Sequence, residues 1–331
     1  MDVSSELPEA DGHPDPTARL LHQAFLYDSD QEFTDVAAAF LCEGLARGES
    51  AFVAVTSHNL GLLREAVPRS GHLGAGVHYV DSAAWYSTPG RTLTKYVRYV
   101  GEHAGASRLR VIGEPRWAGR TPLQVAAWQR YESVVNLTLS GAPATILCPY
   151  DTRRVPREVV EGARRTHPEL VGRVGEGTSG SYLDPVAFSA EVDGRPLPSA
   201  REPVARRRIR PVELGEVRRF VMVEAASLGL AGERLEDLLI SVQEIATNVV
   251  KHGGGHGTVS VWADGADLVC DIADRGGPWD HHAAGHLPPS SEATSGLGLW
   301  LARRLCDQVD IRTGGGGSLV RLRMGGPTPL P

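Results

Sequence analysis

The stretch Leu235–Gly253, which reads LEDLLISVQEIATNVVKHG, decides how the second half of this chain is organised. Its apolar residues recur at three- and four-residue steps, which predicts an amphipathic helix packed on a core. Glu244 and Asn248 are four residues apart and stack on one face, and Lys251 and His252 extend that polar side into a glycine run. A carboxylate and a carboxamide one turn apart suit a site where one polarises a nucleophile and the other holds hydrated Mg²⁺. By itself such a pair is more often only a solvated helix face.

Two glycine-containing motifs follow this helix in a fixed order. Asp274 ends a predicted strand, where its carboxylate can accept a hydrogen bond from the exocyclic amine of adenine. Gly276 and Gly277 come next and allow the backbone to approach a flat ring closely. The second motif, Ser295-Gly296-Leu297-Gly298-Leu299, opens a helix whose free N–H groups can bind phosphate. The three segments together predict a nucleotide site in which Asn248 offers an oxygen to Mg²⁺.

The ordered set resembles the N, G1 and G2 boxes of the GHKL (Bergerat-fold) ATPases over about residues 210–324. EIATNVVKHGG, DRGGPWD and SGLGLWLARRLCDQV are most similar to the branch of anti-sigma-factor serine kinases (RsbW/SpoIIAB-like). The resemblance implies that Glu244 is the catalytic base, that Asn248 holds Mg²⁺ and that Asp274 binds adenine. It also implies further ATP-binding positions: Lys251, His252, Gly276, Gly277, Ser295, Gly296, Leu297, Gly298, Leu299 and Ser318, the last being a small hydroxyl residue on the final hairpin.

This branch implies an α+β sandwich that uses ATP and Mg²⁺. Such a protein binds a sigma factor and phosphorylates a STAS-domain anti-sigma-factor antagonist on serine, and it is expected to be a homodimer. Two alternatives stay open: a nucleotide-dependent partner-binding switch without kinase activity, and a histidine kinase or phosphatase of a two-component system. The last alternative needs a phosphoacceptor histidine on a helix near 212–230, and the sequence has none there.

The first half of the chain alternates short apolar runs with helical patterns. The runs at 51–56, 76–82, 108–115 and 144–151 predict strands, and the helices between them predict an α/β domain with a mostly parallel sheet. About residues 18–170 resemble the MEDS sensory domain, which precedes such kinases in RsbA-family-like regulators. The residues that carry this resemblance are His22, Tyr27, the segment 113–117, Arg120, Glu132, Asn136 and the segment 147–151.

Polar and aromatic side chains at the ends of these predicted strands suggest a pocket. Because function in parallel sheets tends to lie beyond the carboxyl ends of the strands, a small-molecule signal could be bound there. Plain packing of the aromatic residues and a structural Glu114–Arg120 ion pair are the equally weighted alternative. The candidate pocket residues are His22, Tyr27, Glu114, Trp117, Arg120, Tyr150 and Asp151.

The sequence suggests five consecutive regions. These are a disordered leader (1–17), the MEDS-like domain (18–188), a linker (189–211), the ATPase domain (212–325) and a tail (326–331). The linker is rich in proline and arginine and lacks periodicity. Its arginines are expected to be solvated, with contact to an acidic partner as the alternative.

Composition narrows the class of protein. Apolar residues make up 41% and charged residues 22% of the 331 positions, which is typical of a globular protein. A net charge of −6 gives no general reason to expect direct nucleic-acid binding. The acidic N-terminus predicts no secretory signal, and the chain lacks a long uncharged apolar run, so we expect a cytoplasmic protein without a membrane span.

Cysteine and histidine positions raise the question of metal binding. The four cysteines are far apart with no CxxC pair, which predicts reduced thiols and argues against a zinc site built on them. For Cys148, after a buried strand, core packing is favoured over a redox role. His281, His282 and His286 invite a metal interpretation, but no fourth ligand is evident, and a solvated mobile lid is favoured.

Overall fold

The structure is a computed structural model that describes residues 19–67, 76–103, 108–173, 175–200, 202–279, 281–287 and 297–325. It contains a seven-stranded and a five-stranded sheet, one in each half of the chain. The expected leader and tail lie outside the described residues, as do Ser295 and Gly296 of the second glycine motif. None of the described helices is long and apolar enough to cross a membrane.

The first domain is a mostly parallel sheet with helices on both faces, as the alternating pattern predicts. Its strand order is β3-β2-β4-β5-β1-β6-β7, and only the β6–β7 pair is antiparallel. The elements are β1 (Leu21–Tyr27), α1 (Asp30–Ala46), β2 (Ser50–Val55), α2 (Ser57–Ala66), β3 (Val77–Asp81), α3 (Ser82–Trp85), α4 (Pro89–His103), β4 (Leu109–Gly113), α5 (Pro122–Thr138), β5 (Ala144–Asp151), α6 (Arg157–Thr166), β6 (Glu169–Val171), β7 (Gly177–Thr178) and α7 (Pro185–Asp193).

The sequence patterns explain most of this sheet but leave out β1. All eight residues of β5 are buried, as expected for a central parallel strand. The pattern of LHQAFLY did not indicate a strand, because polar His22 and Gln23 interrupt its apolar run. Pairing with β5 on one side and β6 on the other nevertheless makes β1 a central strand.

Helix α5 packs on the face of the sheet that carries Cys148 and Tyr150 of β5. Its start is fixed by a capping box, in which Thr121 Oγ1 accepts from the Gln124 N–H and Gln124 Oε1 accepts from the Thr121 N–H at 2.9 Å. Pro122 supplies the first helical residue, where a missing N–H costs nothing. Trp128, Tyr131 and Val134 then face the core.

The second domain is an antiparallel sheet, in the order β11-β12-β10-β9-β8, with three helices packed on its apolar core. Its elements are β8 (Ala205–Ile209), α8 (Leu214–Ser227), α9 (Gly232–His252), β9 (Gly257–Asp264), β10 (Asp267–Asp274), α10 (Leu297–Leu305), β11 (Gln308–Gly314) and β12 (Gly317–Met324). The organising helix is α9, whose buried stripe includes Leu238, Val242, Ile245 and Val249. The expected α+β sandwich is confirmed.

The region expected to be an irregular linker is structured at both of its ends. Residues 189–193 complete α7, and β8 pairs antiparallel with β9 at the edge of the second sheet. Charged residues are tolerated on an edge strand, so the arginine-rich sequence of β8 did not show the pattern that predicts a strand. Its arginines have acidic partners within the chain, since Arg207 pairs with Glu216 and Arg210 with Glu213 at 3.2 Å.

The two domains are in contact where the start of α4 meets the end of α10. A Cβ built on Gly90 would lie 1.7 Å from the Arg303 carbonyl oxygen, so only glycine fits there. Arg91 donates from Nε to the Arg304 carbonyl at 3.1 Å and from Nη2 to Asp237 Oδ2 at 2.6 Å. The Arg91 guanidinium therefore binds the C-terminal end of α10, where the helix carbonyls carry partial negative charge.

Candidate nucleotide site

The start of α10 lies directly against Glu244 and Asn248 on α9. A Cβ built on Gly298 would lie 3.0 Å from both Cβ and Oε2 of Glu244, and 3.5 Å from Nδ2 of Asn248. Both side chains are half-buried, and Gly298 is buried. The second glycine motif therefore meets the carboxylate–carboxamide pair, as their order along the chain suggested. Leu297, the first residue of α10, is 47% exposed.

Asp274 ends β10 inside a ring of glycines. Its Oδ1 accepts from the Gly276 N–H at 2.8 Å. A Cβ on Gly253 would lie 2.7 Å from the Asp274 carboxylate, and one on Gly317 would lie 1.9 Å from the Asp274 carbonyl oxygen. Gly317 has a φ of 114°, which other residues rarely adopt. Gly253 and Gly276 therefore lie close to the carboxylate, and Gly317 lies close to the backbone of the same residue.

A cavity of about 680 Å³ opens between α9, the end of β10 and the start of β12. This volume lies in the range of about 300–1,000 Å³ that is common for small-molecule pockets. Seven of the residues predicted from the sequence line it together: Asn248, His252, Asp274, Gly276, Gly277, Leu299 and Ser318. Lys251 is exposed and lies outside the lining, and Glu244 reaches the site through its contact with Gly298.

The aromatic and apolar residues that line this cavity were not predicted from the sequence as site residues. Trp279 lines it and donates from Nε1 to Ser318 Oγ at 3.2 Å. Ile272 and Val320 line it as well. The signal for these two was present, because each lies two strand positions from a predicted residue, Asp274 or Ser318, and so shares its face.

The segment after Trp279 is held against the first domain, contrary to the expectation of solvated histidines. His281 is 4% exposed, and Nδ1 of His282 lies 3.0 Å from Oδ2 of Asp193 at the end of α7. Nε2 of His281 lies 3.3 Å from the same oxygen. The His286 ring is buried, which lowers its pKa well below the usual value, with the nearby arginine charges acting in the same direction.

Asp193 is a buried charge with partners from both domains. Arg130 on α5 pairs with Oδ1, and Arg312 on β11 donates to the same oxygen at 3.2 Å. Burial opposes ionisation of Asp193, but hydrogen bonds from His281 and His282 and the Arg130 charge outweigh it and lower the pKa to about 2. Because two guanidinium groups already neutralise this carboxylate, the cluster is a poor place for a cation.

The candidate pocket residues of the first domain separate into two places. Glu114 Oε2 accepts from the Thr56 N–H at 2.8 Å and from Asn59 Nδ2 at 3.0 Å, and Asn59 also donates to the Tyr27 hydroxyl. Burial raises the pKa of Glu114. His22 is an odd number of residues from Tyr27 on β1, so it points to the opposite face of the sheet.

The other candidates make structural contacts. The Trp117 and Tyr150 rings are 6.0 Å apart, and Asp151 Oδ1 accepts from Arg153 Nε at 2.8 Å. Arg120 lies over the Trp128 ring at 4.3 Å. The Glu114–Arg120 ion pair considered from the sequence is therefore absent between these two described residues. The described part of the fold therefore does not bring all seven candidate residues together in one pocket.

Family comparisons match the two domains separately. Residues 21–168 match the description "MEDS: MEthanogen/methylotroph, DcmR Sensory domain". Residues 208–324 match "Histidine kinase-like ATPase domain". The first range includes β1 to β5, the second includes β9 to β12, and both resemblances drawn from the sequence motifs are confirmed.

Full-length relatives narrow the family of the second domain. Serine-protein kinase RsbW of Bacillus pumilus is 31% identical over 124 residues, which cover 32% of this chain and 75% of that relative. The chain belongs to the RsbW family of serine-protein kinases. Serine-protein kinase RsbW of Bacillus licheniformis is 32% identical over 122 residues, with 32% of this chain and 75% of the relative covered. Among RsbW-type proteins, ATP-dependent phosphoryl transfer is the activity of the family.

A solved structure is also similar to this RsbW-family chain. It is the crystal structure of the RsbU and RsbW domains of Rv1364c from Mycobacterium tuberculosis, at 20% identity and a TM-score of 0.30. The match covers 38% of this chain and 33% of that chain.

Proposed function

We propose that this chain is a cytoplasmic, ATP-dependent protein serine kinase that acts as an anti-sigma-factor regulator. It binds a sigma factor and phosphorylates a STAS-domain anti-sigma-factor antagonist on serine. The observation that carries the proposal is the cavity in which Asn248, Asp274 and Ser318 converge while Gly298 lies on Glu244. Homology to RsbW proteins supports the choice of substrate class.

The residues around the cavity are suited to phosphoryl transfer, which asks a protein mainly for positioning and charge neutralisation. Asp274 would accept a hydrogen bond from the adenine amine, with Trp279 and Ser318 closing the cavity beside it. The N–H groups at the start of α10 would hold phosphate oxygens. Glu244, which lies beside that helix start, would orient the serine hydroxyl and take up its proton.

Mg²⁺ fits the donor set at this end of the cavity. Asn248 is half-buried on the cavity wall and offers one neutral amide oxygen. Mg²⁺ typically takes one or two protein oxygens and completes its shell with water and phosphate. The bound ion would supply neutralisation of the phosphate charge.

Calorimetric titration of ATP with Mg²⁺ into the full chain tests the nucleotide site. We expect binding in the wild type and in Glu244→Ala, and loss of Mg²⁺-dependent binding in Asn248→Ala. Glu236→Ala is the matched control, because Glu236 is an exposed carboxylate on the same helix. An unchanged titration curve for Asn248→Ala would remove that residue as a ligand, and no binding by the wild type would overturn the proposal.

Transfer of labelled phosphate from ATP to a STAS-domain antagonist tests the activity. Glu244→Ala should bind ATP and leave the antagonist unlabelled, while Glu236→Ala should label it at the wild-type rate. Capture of partners with ATP but without transfer, in the wild type, would identify a binding switch instead. Labelling of a response regulator would identify a two-component enzyme.

Control by the first domain is part of this proposal. Two contacts between the domains support this control. The carboxylate of Asp193 lies within hydrogen-bond distance of His282, and Arg91 donates to the Arg304 carbonyl at the end of α10. A small-molecule signal that moves α5 or α7 would change these contacts. Light scattering of the full chain tests the expected homodimer.

A further inference from the structure

Four side chains of metal-ligating types meet inside the first domain, remote from the nucleotide cavity. His22 lies on β1, Glu132 on α5, Cys148 on β5 and His167 just after α6. Each offers a ligand atom within 4.8 Å of the other three, and all four residues are buried. They come from four separate chain segments that the parallel sheet and its covering helices bring together.

Four of the six separations between the ligand atoms are close to those of a tetrahedral metal site. Nε2 of His22 is 3.4 Å from Sγ of Cys148 and 3.6 Å from Oε2 of Glu132. The same carboxylate oxygen is 3.8 Å from Cys148 Sγ and 3.7 Å from His167 Nε2. Zinc bonds of about 2.0–2.3 Å in tetrahedral geometry require ligand atoms about 3.3–3.6 Å apart.

The two N–O separations, 3.6 and 3.7 Å, are too long for direct hydrogen bonds, whereas the 3.4 and 3.8 Å separations from Cys148 Sγ allow only weak hydrogen bonds of its thiol. The centre of a regular tetrahedron with edges of these lengths lies about 2.1–2.3 Å from each corner, as a zinc ion would, whereas a hydrogen-bonded water needs about 2.7–3.0 Å. The adjoining cavity measures about 10 Å³ and is lined by three of the four residues, His22, Glu132 and Cys148, together with tyrosine and aliphatic side chains. That is at or below the volume that a single water requires.

Two buried polar atoms of these side chains have no hydrogen-bond partner among the described residues. They are Oε1 of Glu132 and Nε2 of His167. The Glu132 side chain is 3% exposed, and its Oε2 lies 3.6 Å from Nε2 of His22 and 3.7 Å from Nε2 of His167. Buried carboxylates are normally paired or bound to metal, because an unpaired buried charge is costly.

The two histidines are oriented by partners on their outer nitrogens. Nδ1 of His22 is 3.0 Å from Oδ1 of Asn136, whose own amide donates to the carbonyls of Ser133 and Thr166. The Asn136 oxygen therefore accepts, so the proton of His22 is on Nδ1 and Nε2 keeps its lone pair. This arrangement of an outer hydrogen-bond acceptor on a ligating histidine is general in metal sites.

His167 follows the same rule through the backbone. Its Nδ1 lies 2.9 Å from the Ala163 carbonyl oxygen, which can only accept, so Nδ1 carries the proton. Both Nε2 lone pairs are therefore free to bind a cation.

We infer that these four side chains bind one divalent transition-metal ion of the zinc class, through His22 Nε2, His167 Nε2, Glu132 Oε2 and Cys148 Sγ. The Cys148 thiol loses its proton to solvent when its sulfur bonds to the ion, and the thiolate and the Glu132 carboxylate then balance the two positive charges. Because the protein fills all four positions, this is a closed site that ties α5, α6 and the two central strands together.

Metal content and cobalt spectroscopy of the full chain test this inference. We expect about one zinc per chain after purification without chelators, and a thiolate-to-cobalt charge-transfer band when the stripped protein is titrated with Co²⁺. Cys148→Ser should abolish that band, whereas Cys42→Ser should keep it, because Cys42 is a half-buried thiol on α1 outside the cluster. His282→Ala should keep it too, which separates this site from the Asp193 cluster.

A variant that keeps all four ligands distinguishes loss of metal binding from loss of folding. Asn136→Ala leaves all four ligands in place and should weaken zinc binding about 10–100-fold, because the outer partner of His22 is gone. Zinc should raise the melting temperature of the stripped wild type and leave that of Cys148→Ser unchanged. Absence of zinc and cobalt binding in the wild type, or a cobalt band that survives in Cys148→Ser, would overturn the inference.

Discussion

The carboxylate of Asp193 and the imidazole Nδ1 of His282 are 3.0 Å apart, across the boundary between the two domains. Asp193 ends α7 of the first domain, and His282 follows Trp279 of the candidate nucleotide cavity by three residues. One buried carboxylate therefore links the fold of the first domain to the position of a segment beside that cavity.

Asp193→Asn should destabilise the chain by about 3 kcal/mol, because it leaves the buried Arg130 guanidinium without its counter-charge. Urea unfolding at pH 7 measures this difference. Glu191→Gln is the matched control on the same helix, since Glu191 forms a surface pair with Arg165 and its loss should cost less than about 1 kcal/mol. Equal costs for the two variants would mean that the Asp193 cluster contributes no more than a surface pair.

The contribution of Asp193 should depend on pH in one direction. Its folded-state pKa of about 2 is below the unfolded value of about 3.9, so ionised Asp193 stabilises the fold fully above about pH 4. The stabilisation is lost as the pH falls through about 2. The gap between the unfolding free energies of the wild type and Asp193→Asn should therefore narrow below about pH 4. A gap that widens on acidification would contradict this assignment.

Gly90→Ala should disturb the contact between the domains. The added methyl group would lie 1.7 Å from the Arg303 carbonyl oxygen, and neither helix backbone can yield without moving the other. Overpacking of this kind costs about 1–3 kcal/mol. Gly101→Ala on the same helix meets open space and should instead stabilise by about 0.5–1 kcal/mol. Urea unfolding of both variants measures the difference, and equal effects would show that α4 and α10 are not in firm contact.

Asp274→Asn should reduce ATP affinity while leaving the fold intact. The amide oxygen can still accept from the Gly276 N–H, now at 2.8 Å, so the local turn is preserved. The charged acceptor for the adenine amine is lost, and hydrogen bonds to charged groups contribute about 1.5–3 kcal/mol, or roughly 10–150-fold in affinity. Calorimetry measures this, with Asp267→Asn at the opposite end of β10 as the control. Wild-type affinity in Asp274→Asn would exclude its role in binding adenine.

Much of the candidate nucleotide site could be predicted because its signals are local. The spacing of Glu244 and Asn248 defines one helix face, and glycines after Asp274 mark backbone that must approach a ligand or another strand. Trp279 escaped assignment because nothing in a loop sequence says which way an aromatic ring turns. β8 was not predicted because this edge strand carries charges on both faces and so lacks the alternation of apolar and polar residues that indicates a strand.

The amino-acid sequence by itself determined the two fold classes and the order of the motifs that form the candidate nucleotide site. Helix and strand periodicity and the special conformations of glycine act over a few residues, so they can be read without knowing the fold. Only the tertiary structure decided which distant groups meet. His22, Glu132, Cys148 and His167 have no telling spacing, and the cysteine pattern argued against a zinc site. The parallel sheet places these segments side by side, because its pairings set register between strands more than a hundred residues apart.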